Sequence, residues 1–110
     1  MERRSSFNRA RVDLPVFSFV DGFRHTCRAV DLSSTGMVIE RTRSMRHREP
    51  PALHAFELHL RGQRPIRGRA RSVWSKEGLH AVRFVAVSDV DRLDIAEHLD
   101  RLARLREEVR

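Results

Sequence analysis

Apolar and polar residues alternate with a period of two along most of the first 87 residues of the chain. This spacing is typical of β-strands that bury one face and expose the other. It is clearest where Phe56, Leu58 and Leu60 alternate with polar and charged residues. The alternation predicts six short strands, at residues 12–20, 23–32, 36–39, 56–61, 66–74 and 78–84.

Turn signals separate these runs, and no helical periodicity lies between them. Asp21 and Gly22 form a dipeptide suited to a tight hairpin, and Gly62 marks another turn. A basic, proline-ended loop occupies residues 41–51. Six short strands without intervening helices favour a small antiparallel barrel or a sandwich.

The fifth predicted strand contains the single tryptophan of the chain, Trp74. Trp74 falls on the same side of this strand as Ile66 and Ala70, so we expect its side chain in the core. The opposite side is basic and we expect it to be exposed; it carries Arg67, Arg69 and Arg71.

From Ser88 onward the apolar spacing becomes helical. Ile95, Leu99 and Leu102 share one face, and Ser88 is placed to cap the first turn. We expect one domain over residues 1–110, made of a basic arm at 1–11, a barrel at 12–87 and a C-terminal helix at 88–107.

Two absences in the sequence narrow the class of protein. No apolar run reaches the ~18 residues of a membrane span, and residues 1–6 lack the apolar stretch of a secretion signal. We therefore expect a cytoplasmic protein without a membrane span. The single cysteine, Cys27, excludes an internal disulfide and a cysteine-rich zinc site.

The net charge of +7 is unevenly distributed. Residues 1–87 carry 17 basic and 8 acidic side chains, whereas residues 88–110 carry 5 basic and 7 acidic ones. A positive field over the barrel predicts an anionic partner such as a nucleotide, a nucleic acid or a membrane surface. Arginines that are merely solvated on the surface explain the charge equally well.

Metal and catalytic sites are poorly supported by the pattern. The six histidines lack the short spacing of a zinc site, and His54 and His59 would face opposite sides of a strand. Ser33 and Asp31 are not part of a nucleophile elbow, and Cys27 lies within a strand pattern as a small apolar residue would. We expect no metal site, no cofactor and no catalytic residue.

Residues 31–36 (DLSSTG) form a polar junction between the second and third strands. As a structural turn, Asp31 and Ser33 would satisfy backbone donors, and Gly36 would supply a positive φ. As a binding loop, the segment offers a carboxylate, a hydroxyl and a backbone position without a side chain. A carboxylate accepts hydrogen bonds only, which matches the two N–H groups on the Watson–Crick edge of guanine.

Arginines of the N-terminal arm supply complementary chemistry. Arg3, Arg4 and Arg9 precede the first predicted strand. Guanidinium groups fork onto phosphate oxygens, pair with guanine O6 and N7, and stack on bases. Together, the acceptor loop and the arginine arm indicate a guanine-nucleotide site.

In these two features the chain resembles the PilZ domain family, the bacterial receptors for cyclic di-GMP. The family carries an arginine motif, R-x-x-x-R, followed by (D/N)-x-S-x-x-G, and residues 31–36 match the second motif in full. Residues 9–16 and 78–84 are similar to the family's first and closing strands. The resemblance implies a six-stranded antiparallel β-barrel with a C-terminal helix. It also implies ligand contacts from Arg4, Arg9, Asp31, Ser33 and Gly36, with Arg3 as a further candidate.

The arginine motif departs from the family pattern by one residue. Ser5 stands at the partner position of Arg9, and Arg4 is one residue further away. The favoured function is a cyclic di-GMP effector that signals to a protein partner; the alternative is a degenerate PilZ adaptor that binds protein without nucleotide. A nucleic-acid-binding barrel would use the arginines of the fifth strand and the 41–48 loop. That surface lacks the interleaved aromatic residues that stack on single strands, so we do not expect a nucleic-acid partner.

Overall fold

The computed structural model describes residues 9–42 and 49–109 of the 110-residue chain. It contains six strands followed by one helix. The strands are β1 (Arg9–Val20), β2 (Phe23–Ser33), β3 (Gly36–Glu40), β4 (Leu53–Leu58), β5 (Ile66–Lys76) and β6 (Leu79–Ala86), and the helix is α1 (Asp89–Val109).

The strands form a closed barrel in the order β1-β2-β3-β6-β5-β4, and every neighbouring pair is antiparallel. The pairing of β1 with β4 closes the barrel. Closure gives every strand a hydrogen-bonded neighbour on both sides. The predicted six-stranded antiparallel barrel is confirmed, and of the two architectures that the alternation allowed, the barrel is the one formed.

Alternate strand residues point inward and fill the barrel. The largest fully buried side chains come from five strands and the helix: Phe56, Leu32, Ile39, Leu58, Ile66, Ile95 and Val16. Phe56 and Phe84 stack with ring centroids 5.3 Å apart. Burial of such side chains stabilises a domain by about 1.5–3 kcal/mol each, and it fixes which face of every strand is exposed.

Helix α1 packs its apolar face against β1 and β2. Ile95 and Leu99 are buried in the same core as the strand residues. The Ser88 hydroxyl accepts a hydrogen bond from the Asp91 backbone N–H at 3.1 Å, which confirms the predicted cap. No helix in the described ranges has the length and apolar character that crossing a membrane requires.

The first strand begins earlier than the alternation predicted. Arg9 pairs with Ser33 and Arg11 with Asp31, so residues 9–11 belong to β1 and not to an arm. Backbone hydrogen bonds cause this extension. Strand β2 continues to Ser33, and its backbone N–H and C=O groups pair with β1 regardless of the side chains. The prediction of an arm at 1–11 is therefore wrong for its last three residues; residues 1–8 lie outside the described ranges.

Trp74 is exposed, contrary to the prediction that it lies in the core. Its side chain retains 48% of its accessible surface. The cause is a register shift in β5: Ser72 pairs with Val82, but Trp74 pairs with Ala81, which leaves Val73 as an extra residue. Such a bulge changes the alternation after Ser72, so Trp74 points outward with Ala81.

Candidate functional site

A shallow groove lies on the outer surface of the barrel, over β2, β3, β6 and the bulge of β5. Its volume of about 570 Å³ is within the usual range for small-molecule sites. The groove is lined by Arg9, Asp31, Met37, Val38, Val73, Ala81, Val82, Arg83 and the turn of residues 33–36. Four of the sequence-predicted ligand contacts therefore meet here: Arg9, Asp31, Ser33 and Gly36. The other two candidates, Arg3 and Arg4, lie outside the described residues.

The near wall of the groove carries an ion pair. The Arg9 guanidinium Nη2 is 3.5 Å from the Asp31 carboxylate Oδ2, because the β1–β2 register brings the start of one strand beside the end of the other. The Arg9 side chain is 57% exposed and that of Asp31 is 32% exposed. Exposed pairs of this kind contribute about 0–1 kcal/mol, so an incoming ligand can exchange partners with them at low cost.

Ser33 shapes the turn between β2 and β3. Its hydroxyl oxygen accepts hydrogen bonds from the backbone N–H groups of Thr35 and Gly36, at 3.2 Å and 3.1 Å. The same turn is tied to β6, because the Phe84 N–H donates to the Thr35 carbonyl at 2.8 Å. The expectation that Ser33 satisfies backbone donors is confirmed. Asp31, by contrast, is held by Arg9.

Gly36 is required by close packing and not by its backbone angle. The described glycines with positive φ are Gly22, Gly62 and Gly78, so the positive φ expected at Gly36 is wrong. A Cβ at Gly36 would lie 2.2 Å from the Val82 carbonyl oxygen. Only glycine lets β3 approach β6 this closely, and that approach forms the floor of the groove.

The far wall of the groove comes from residues that the motif does not contain. Arg83 on β6 pairs in register with Gly36, and its exposed side chain lines the groove on the side of β3 away from Asp31 on β2. Val73 lines this wall because it is the extra residue of the β5 bulge. Sequence reasoning missed both, because placing them needs the β3–β6 pairing and the bulge. For Arg83 one signal existed: its outward position in an alternating strand.

A second polar cluster lies inside the barrel, at the end formed by the start of β4 and β6. The His80 ring Nε2 is 2.8 Å from the Ser72 hydroxyl oxygen, and that hydroxyl donates to the Pro51 carbonyl at 2.6 Å. Burial lowers the pKa of His80 to about 4, with smaller contributions from His54 and Arg41. His80 is therefore neutral near pH 7.

The other titratable groups of this cluster are buried as well. Both ring nitrogens of His54 are buried without a hydrogen-bond partner, and burial, followed by the charge of Arg41, lowers its pKa. Burial raises the pKa of the Cys27 thiol, so Cys27 packs as a small apolar residue and not as a thiolate nucleophile. Within residues 9–42 and 49–109, no three His, Cys, Asp or Glu side chains converge as metal ligands would.

Comparison with known proteins gives a family match over nearly the whole chain. The family model described as PilZ domain matches residues 2–101. No curated protein sequence matches the chain.

Three solved structures share the fold at low sequence identity. The Bacillus subtilis inhibitor of motility MotI/DgrA superposes with a TM-score of 0.75 at 10% identity, covering 94% of this chain and 52% of its own. An uncharacterized Legionella protein gives a TM-score of 0.61 at 14% identity, with 90% and 97% covered. The PilZ domain of CeSA from a cellulose-synthesizing bacterium gives 0.57 at 17% identity, with the same coverage. The chain thus spans about half the length of the motility inhibitor.

Proposed function

The chain belongs to the PilZ domain family, a family of cyclic di-GMP receptors, and on that premise we propose that it binds cyclic di-GMP in the groove beside the 33–36 turn. One observation carries the proposal: Arg9, Asp31 and the turn built by Ser33 and Gly36 meet on a single open groove. The proposal contains no catalytic step and no cofactor.

The chemistry of the near wall suits a guanine base. The Asp31 carboxylate would accept hydrogen bonds from N1–H and the exocyclic amine of guanine. The Arg9 guanidinium, released from Asp31, would pair with O6 and N7 or with a phosphate oxygen. Because the existing ion pair is exposed and weak, this exchange replaces one charge-assisted contact with several.

The proposed output is a changed surface offered to a protein partner. Binding would separate Arg9 from Asp31 and cover part of β3 and β6, which alters both the charge and the shape of that face. That one protein with this fold is named an inhibitor of motility supports a regulatory role.

A second candidate function is that of a PilZ adaptor that binds protein without nucleotide. The observation that favours it is that Asp31 and Ser33 already have partners within the chain, Arg9 for the carboxylate and the turn backbone for the hydroxyl. The substitution of Ser5 for the expected arginine points the same way.

Calorimetric titration separates these functions. We expect the wild-type chain to bind cyclic di-GMP, to bind cyclic di-AMP more weakly, and to give no comparable heat with GTP or an oligonucleotide. Adenine lacks both the N1–H donor for Asp31 and the O6 acceptor for arginine. Equal affinity for the two cyclic dinucleotides would contradict the assignment of the guanine edge, and no binding of either would favour the adaptor.

Two aspartate variants locate the site. Asp31→Ala should lose about 1–3 kcal/mol of binding free energy, the usual loss when a charged hydrogen-bond partner is removed. Asp13→Ala is the matched control: it also removes an exposed carboxylate that pairs with an arginine, Arg28, but Asp13 lies outside the groove. If both variants lose the same affinity, the loss is not specific to Asp31 and the site is misplaced.

A further inference from the structure

The far wall of the groove holds Arg83, and Arg71 lies beside it on β5. Arg83 on β6 pairs in register with Gly36 on one side and with Arg71 of β5 on the other. Both arginine side chains are exposed, and Arg83 lines the groove directly. The closed barrel therefore places a pair of positive charges on β6 and β5, next to Gly36 of the 33–36 turn.

Within residues 9–42 and 49–109, no acidic side chain neutralises these two charges. Some arginines of the barrel surface have acidic partners: Arg28 contacts Asp13 and Glu40, and Arg67 contacts Glu57. Arg71 and Arg83 have no acidic group within ion-pair distance in the part of the chain that is described. Like charges directly opposite each other destabilise a sheet, so this pairing costs stability unless an anion occupies the wall.

The two walls of the groove therefore differ in net charge. On the near wall, Arg9 and Asp31 neutralise each other at 3.5 Å. On the far wall, the positive charge of Arg83 remains, with that of Arg71 beside it on β5. Between the two walls lie the small side chains of Val38 and Ala81, which leave room for a ligand to span the groove. A ligand with a base edge that donates hydrogen bonds and an anionic backbone fits this asymmetry.

We propose that Arg83, supported by Arg71, is a phosphate-binding residue of the groove, so that the nucleotide spans from Asp31 on the near wall to β6 on the far wall. The guanidinium of Arg83 would bind phosphate oxygens in its forked geometry, and Arg71 would add positive potential behind it. This inference rests on the proposed nucleotide-binding function. It extends the site to two strands that lie outside both sequence motifs.

The test compares Arg83→Ala with Arg69→Ala by titration with cyclic di-GMP. Arg69 is the matched control because it lies on the exposed face of β5, has no acidic partner in the described chain, and pairs with Ala55 and Ala86 away from the groove. Both variants remove one positive charge. We expect Arg83→Ala to weaken binding by about ten- to hundredfold, and Arg69→Ala by less than about threefold.

Salt dependence and melting curves distinguish a contact from a structural effect. The ratio of wild-type to Arg83→Ala affinity should shrink as NaCl rises from about 0.05 M to about 0.5 M, because salt screens the contact. Arg83→Ala should melt at the same temperature as the wild type or above it, since it relieves the repulsion with Arg71.

The outcomes separate this inference from the function on which it rests. Wild-type binding with equal affinities for Arg83→Ala and Arg69→Ala overturns the inference alone. A loss in Arg83→Ala that is independent of salt also overturns it, because a charge contact must be screened. No binding of cyclic di-GMP by the wild type overturns the proposed function and this inference together.

Discussion

Acid should destabilise this barrel in a pH range set by a buried histidine. The Ser72 hydroxyl has a single proton, which it donates to the Pro51 carbonyl, because a carbonyl can only accept. His80 Nε2 must then carry a proton and donate to the Ser72 oxygen. A second proton on His80 would place a charge in the interior, close to His54 and Arg41, and its pKa is accordingly lowered to about 4.

The size of the effect follows from that pKa. In the unfolded chain His80 titrates near 6.5, so between pH 6.5 and about pH 4 the unfolded state binds more protons than the folded state. The stability is complete above the unfolded pKa and falls as the pH is lowered toward the folded one. At about 1.4 kcal/mol per pKa unit, the loss reaches an upper limit of about 3 kcal/mol. The pKa values of His54 and His98 are also lowered by burial, so they act in the same direction.

Urea denaturation at a series of pH values across this range measures the loss. His80→Gln places an amide donor near Ser72 without a titrating ring, and it should show a shallower dependence on pH than the wild type. His25→Gln, at a half-buried histidine outside the His54–His80 cluster, is the control and should follow the wild type. A free energy of unfolding that stays constant from pH 6.5 to pH 4, or an unchanged slope in His80→Gln, would refute the reasoning.

Two substitutions test the packing of the barrel by thermal or urea denaturation. Gly36→Ala should lower the free energy of unfolding by about 3 kcal/mol or more, because its methyl group would clash with the Val82 carbonyl oxygen. Gly22→Ala should lower it by about 1 kcal/mol, since its methyl group would contact nothing and only the φ of +80° disfavours alanine. Equal losses would show that β3 and β6 can move apart. Trp74→Ala should cost less than about 1 kcal/mol, since that side chain is exposed; a loss of 3 kcal/mol or more would place it in a core.

The sequence predicts the architecture well because burial imposes a strict alternation. Residues 56–60 show this directly: Phe56, Leu58 and Leu60 are buried as predicted, and the residues between them are less so. Turn chemistry adds the connections, as at Asp21 and Gly22, both of which adopt positive φ. An alternating run bounded by turns leaves few ways to bury its apolar face.

The alternation of apolar and polar residues does not show where a strand is bulged or which residues of two strands pair. One extra residue at Val73 turns Trp74 outward, and its position depends on the register between β5 and β6, which the alternation within β5 does not show. The far wall of the groove is hidden for the same reason. Arg83 comes to lie opposite Gly36 only because β3 pairs with β6, a contact between strands far apart in the sequence.

The motif residues of the candidate site do not all indicate ligand binding equally. Ser33 and Gly36 are explained by the fold alone, since one builds the β2–β3 turn and the other permits the close β3–β6 approach. Their presence therefore indicates the barrel geometry, with or without a ligand. Asp31 has no comparable structural task, because its exposed pair with Arg9 contributes little to stability. Asp31 and the arginines that face the groove are accordingly the residues that indicate binding in this chain. Among relatives, these positions distinguish nucleotide binders better than the serine and the glycine.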